Sequence, residues 1–192
     1  MDFTFSRLNN FVPNGQFFEN YSAMNDNKLN TWRGLAFEDV CFRHSTQIKA
    51  ALGISGVQAE VFPWHTAAEG KSAGAQVDML IDRADRVLNL CEMKFSQDNF
   101  SIDKDYDEKL RSRIATLTEK TSNKKNIQPT LVTTYGLKMN LYSNRFQRVV
   151  TMDELFRWLC FETQSFISTL QQKPSKKHFY FVKTFVLLQS YD

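Results

Sequence analysis

AQVDMLIDRADRVLNLCEMKF, residues 75–95, holds two apolar runs separated only by Ala84-Asp85-Arg86. Runs of this length around a three-residue break predict an antiparallel hairpin, with strands over 75–83 and 87–95. Side chains alternate along a strand. Leu88, Leu90, Glu92 and Lys94 therefore share one face of the second strand, and Asn89, Cys91, Met93 and Phe95 share the other. Both faces are largely apolar, which predicts a central strand. An acid and a base placed there are costly unless they pair or bind something. Asp78 is a comparable acid within the apolar run of the first strand.

Working outward, residues 31–52 predict a helix, with Glu38, Cys41, Ser45, Ile48 and Leu52 along one face and Gly53 at its C-terminal end. GVQAEVFPW (56–64) predicts a strand ending at Pro63, and HTAAEGKSAG (65–74) a loop. Beyond the hairpin, Asp103 is a good N-cap for a helix with the apolar stripe Tyr106, Leu110, Ile114 and Leu117. Lys104, Lys109, Arg111 and Arg113 occupy its other faces. Pro129 to Tyr135 predicts a further strand, broken at Gly136. Thr151 and Glu154 have capping-box spacing, so another helix is expected from there to about Leu170. The order is α-β-β-β-α-β, an α/β fold with a mixed central sheet flanked by helices.

Asp78, Glu92, Lys94 and Glu38 are the residues on which chemistry would depend. Carboxylates on adjacent strands supply oxygens to a hard cation such as Mg²⁺ or Mn²⁺. Such a cation polarises a phosphodiester and lowers the pKa of its water. A lysine two residues on would orient that water and offset transition-state charge. Glu38 lies on the apolar side of its helix and would add a third acid. The same spacing also suits a satisfied ion pair inside a sheet, or an exposed sheet face.

GLAFEDVC (34–41), HSTQIKAALGI (44–54), GAQVDMLIDR (74–83) and NLCEMKFS (89–96) together carry a family resemblance. They resemble the C-terminal nuclease-like domain of a Bacteroidetes-type group of bacterial AAA-family ATP-binding proteins. That domain belongs to the PD-(D/E)XK, restriction-endonuclease-like superfamily and is related to the domain of unknown function 234. Residues 1–30 are a lead-in, 31–156 the nuclease-like domain, and 157–192 a C-terminal extension of unknown role. The likeness covers about residues 31–156, including DKDYDEKLRSRI (103–114) and TTYGLKMN (133–140). It implies catalytic roles for Glu38, Asp78, Glu92 and Lys94, with Asp78, Glu92 and Glu38 as ligands of Mg²⁺ or Mn²⁺. It also implies DNA as substrate, and an ATPase domain or a second copy as partner. The chain departs from those relatives in lacking a phosphate-binding loop: the first glycine that Gly70-Lys71-Ser72 needs falls on His65. It therefore resembles a detached or truncated C-terminal piece. A non-catalytic nuclease-fold module and a nonfunctional fragment are the other readings.

A net charge of +3 neither requires nor excludes nucleic acid. Three scattered cysteines argue against a disulfide framework and suit reduced thiols in the cytoplasm. The scattered His44, His65 and His178 form no zinc motif. No signal peptide or membrane span is expected. Gln47 and Lys49 suit a phosphate contact and a solvated helix face equally well, whereas Ser96 reads first as a turn residue and Lys124-Lys125 and Lys173 to Lys177 first as solvated loops, with a phosphate contact as the other reading. Trp32, Trp64, Trp158 and the Phe-rich ends read as core or interface material.

Overall fold

The computed structural model describes residues 26–68, 74–121 and 125–157. Two units divide the chain, Met1–Leu155 and Phe156–Asp192; the elements below all belong to the first. They run α1 (Asp26–Arg43), α2 (Ser45–Ala51), β1 (Ala59–Thr66), β2 (Ala75–Arg83), β3 (Val87–Lys94), α3 (Lys104–Thr121), β4 (Asn126–Thr133), a 3₁₀ turn (Ser143–Arg145), β5 (Arg148–Thr151) and α4 (Met152–Leu155). The result is an α/β fold on a five-stranded mixed sheet, ordered β1-β2-β3-β4-β5. The β1–β2 and β2–β3 pairs are antiparallel, whereas β3–β4 and β4–β5 are parallel.

The hairpin forms where expected, and β3 is the central strand. Its turn places Arg86 at φ 66, the left-handed residue that closes a three-residue hairpin loop. A parallel return to β4 needs a crossover, and α3 supplies it. Asp103 caps α3 by accepting the Tyr106 N–H at 2.7 Å. The even-numbered side of β3, with Leu88 and Leu90, packs on Leu110 and Leu117 of α3 together with Val77, Leu80 and Leu131. Burying each of these side chains contributes about 1.5–3 kcal/mol. The odd-numbered side faces α1, where Phe37 meets Phe95 edge-on at 6.3 Å.

Four expectations change. The helix over 31–52 is two helices, α1 beginning at Asp26 within the lead-in and α2 following a break at His44. At the break the Val40 carbonyl is shared by the His44 N–H and Nδ1, at 3.0 and 2.8 Å, a local competitor to regular helix. β1 does not stop at Pro63 but continues to Thr66. β1 is an edge strand, where a missing N–H is tolerated. Phe62 pairs with Leu80 and Trp64 with Val77, so Pro63 opposes both Asp78 and Met79 in a bulge. The strand expected over 129–135 runs instead from Asn126 to Thr133. β5, too short to stand out in the sequence, joins the sheet beside it.

The capping spacing at Thr151 is realised, with the Thr151 N–H donating to Glu154 Oε2 at 2.8 Å. No helix among the described residues is long and apolar enough to cross a membrane. The expectations for residues 1–25, 69–73, 122–124 and 158–192 lie outside the described residues. These include Gly70-Lys71-Ser72, Lys124, Trp158, Cys160, Lys173 to Lys177, His178 and the Phe-rich ends.

Candidate active site

The β2–β3 ladder ends at the Met79–Cys91 pair. Beyond it the bulge turns Asp78 toward β3, and its carboxylate takes over from the missing backbone partner. Asp78 Oδ2 accepts the Met93 N–H at 3.0 Å and faces Lys94 Nζ at 3.4 Å. Alternation along β3 carries Glu92 to the α3 side, directly before Lys94. Lys94 Nζ lies 3.6 Å from Glu92 Oε2, so one ammonium bridges the two acids.

The Glu92 side chain is fully buried, with 0% exposure, while Asp78 retains 11% and Lys94 27%. Carrying a carboxylate so far from water is costly unless charges and hydrogen bonds compensate. Most of the compensation comes from α3. Arg113 Nη1 meets Glu92 Oε2 at 2.5 Å, and the Tyr106 hydroxyl donates to the same oxygen at 3.0 Å. Phe100 sets the Tyr106 ring by an edge-on contact at 5.4 Å. Burial, and then the charge of Glu92, push the Tyr106 hydroxyl well above its ordinary pKa, which keeps it protonated and donating. Burial would lower the Arg113 pKa, but the Glu92 carboxylate outweighs it and raises it. Both donors and the Lys94 ammonium approach the same oxygen, Oε2. Glu92 Oε1 is buried and has no hydrogen-bond partner.

Glu38 is half-buried on α1, between Phe37 and the buried Asp39. Its position shows in the Cys41 thiol. Burial first, then Cys91, Glu38 and Asp78, raise that thiol well above its ordinary pKa. Glu38 and Asp78 therefore both lie within electrostatic reach of one thiol. The structure thus brings Asp78, Glu92 and Lys94 into one network. Glu38 lies on α1, on the sheet face opposite α3, and does not join Asp78 and Glu92 in a group of three acids able to hold a metal ion. Among the described residues no three His, Cys, Asp or Glu side chains stand close enough together to hold a metal ion. A site here would be made by the two carboxylates of the hairpin.

Comparison of the chain with known protein families, curated proteins and solved structures gives no match. The reading of the site therefore depends on its own geometry.

Tyr106 and Arg113 are the contacts of Glu92 that the sequence did not single out. By sequence alone Tyr106 falls in the apolar stripe of α3 and Arg113 on its wet faces. A signal existed, because positions 106, 110, 113 and 117 follow one side of a helix at spacings of four, three and four. That places Arg113 among residues that face the sheet.

The weaker candidates find structural employment. Ser96 is stitched to β4: its N–H donates to Thr134 Oγ1 at 3.0 Å, and its hydroxyl donates to the Asp98 carbonyl at 2.5 Å. Lys125 is held by Asp82 and by the Arg83 carbonyl. Gln47 buries its Oε1, which has no hydrogen-bond partner.

Cys41 and Cys91 are both buried free thiols. Burial, then Glu92 and Asp78, push the Cys91 pKa up to about 12. Only the thiolate is nucleophilic, so neither cysteine serves as a nucleophile near neutrality. Both are expected to escape iodoacetamide in the native protein at pH 8 and to react in guanidinium. Peptide mass spectrometry checks this; modification of Cys91 without unfolding would contradict the packing described.

Proposed function

We propose that this chain is a metal-dependent phosphodiesterase acting on DNA, built on a restriction-endonuclease-like PD-(D/E)XK core. The observation that carries the reading is the buried, unpartnered Glu92 Oε1 beside Asp78, on a central strand that also presents Lys94. An unsatisfied buried carboxylate oxygen is expensive. A hard cation is a ligand that would relieve it, and Mg²⁺ commonly uses only one or two protein carboxylates. Such a cation would supply Lewis acidity toward a phosphodiester. The element order agrees with the family resemblance: helix, three antiparallel strands, a crossover helix and a parallel strand.

In this reading Glu92, through Oε1, and Asp78 are the ligands, with Glu38 as an outer acid. Asp78 is already oriented by the Met93 N–H. Lys94 is more exposed than either hairpin acid, so its ammonium faces an arriving substrate and positions the attacking water. Arg113 and Tyr106 fix Glu92 from behind. The setting proposed for this nuclease is the cytoplasm, with an ATPase domain or a second copy of the chain as partner.

The test is Mg²⁺-dependent cleavage of plasmid and single-stranded DNA, with Lys94→Ala as the control. Equal activity in both proteins removes the catalytic assignment.

One observation favours a second reading, a non-catalytic module that binds DNA or a partner protein. Asp78 and Glu92 are already opposed by Lys94 and Arg113, so the network has no net formal charge. A calorimetric titration with Mg²⁺ or Mn²⁺ separates the two, since a pure interaction module has no need to bind metal through Glu92.

A further inference from the structure

We propose that Arg113 is an internal counter-ion that competes with a divalent cation for Glu92, and so sets how tightly this site binds metal. The inference rests on the metal reading above. Three observations on the structure carry it. Arg113 Nη1 is the closest cationic atom to the carboxylate, at 2.5 Å, whereas Lys94 Nζ stands at 3.6 Å. The two cations approach the same oxygen, Oε2, while Oε1 faces no donor. Arg113 comes from α3, a different element from the hairpin that carries the acids, and its side chain is 30% exposed.

The physical consequence follows from charge. A guanidinium stays protonated at any working pH, so it cannot leave Glu92 by losing a proton. A dication arriving at Oε1 shares one carboxylate with that guanidinium, inside a region where water screens poorly. Its attraction to Glu92 and Asp78 is offset by repulsion from Arg113 and Lys94. Lys94 bridges both acids and is committed to them. Among the described residues Arg113 forms an ion pair with Glu92 and no other acid, and its partial exposure gives it a route to water when the cation binds. The Tyr106 hydroxyl, which is neutral, holds Oε2 in either case. Metal affinity is thus set by a residue that is not a ligand.

The experiment is calorimetric titration of the full chain with Mn²⁺ at fixed ionic strength, alongside thermal melts with and without the ion. The proteins are wild type, Arg113→Met, Arg113→Gln, Arg113→Lys and Glu92→Gln. Removing the competing charge is expected to tighten Mn²⁺ binding about tenfold to a hundredfold in Arg113→Met, the weight of one charge-assisted contact. Arg113→Gln keeps a donor without the charge, and it reads the same quantity should Arg113→Met not fold. Arg113→Lys retains the charge and is expected to stay near wild type. Mn²⁺ should raise the melting temperature of the neutral variants more than that of wild type. If wild type binds in a Glu92-dependent way and the neutral variants bind no tighter, Arg113 is not a competitor and the metal reading stands. If neither wild type nor the neutral variants show Glu92-dependent binding, the metal reading fails and the inference with it.

Discussion

Lys94→Ala is expected to lower Mg²⁺-dependent DNA cleavage by about 10²–10³-fold, the usual effect of removing one preorganised electrostatic group from a transition state. The same variant should bind Mn²⁺ at least as tightly as wild type. Lys94 is not a ligand, and its ammonium stands 3.4 Å from Asp78 and 3.6 Å from Glu92. Its removal takes positive charge from the site without touching an oxygen donor. A loss of cleavage with metal binding intact would place Lys94 in the chemical step. Parallel loss of both would mean that it only holds the carboxylates. The fold should tolerate the change, because Lys94 is the last, partly exposed residue of β3 and Asp78 keeps its bond from the Met93 N–H.

Asp107→Ala is expected to cost about 2 kcal/mol of folding stability, less than the full cost of breaking a buried ion pair because its partners are partly in water. Asp107 is 2% exposed in the first turn of α3. Arg145, from the 3₁₀ turn, meets it through Nε at 2.5 Å and Nη2 at 3.3 Å, and Arg111 adds Nε at 2.8 Å. The carboxylate fastens the segment before β5 to the crossover helix. Arg145 above all, with Arg111, holds its pKa below the usual carboxylate range. A depressed folded-state pKa gives stability that is complete above the unfolded-state value, near 3.9, and is lost as pH falls toward the folded-state value. The gap between wild type and Asp107→Ala should therefore be constant from neutrality to about pH 5 and narrow as pH falls below about 4. Urea denaturation across that range measures it. A gap independent of pH down to acid would mean that shape, not charge, holds the segment.

Much of this was legible in the residues themselves. The hairpin announced itself because two apolar runs three residues apart have few other solutions. Asp103 announced α3 because a short acceptor side chain satisfies N–H groups at a helix start. The sharing of one face by Glu92 and Lys94 followed from alternation. The break at His44 was not legible, because the helical spacing of Glu38, Cys41, Ser45 and Ile48 continues across it. β5 was missed because four residues carry too little pattern to separate a strand from a loop. Arg113 was misplaced because a charged residue on a helix is ordinarily solvated, and only its partner on β3 makes the inward position favourable.

By itself the sequence determined the local elements, the hairpin and the side of β3 on which its acid and base emerge. These depend on backbone geometry and periodicity within a few residues. Only the tertiary structure decided that Asp78 turns into a bulge against Pro63, that Glu92 meets Tyr106 and Arg113, and that one of its oxygens is left without a donor. Those outcomes depend on strand register and on how α3 lies across the sheet. Register and packing are fixed by burying the shared apolar faces, a collective energy that no single stretch of chain contains.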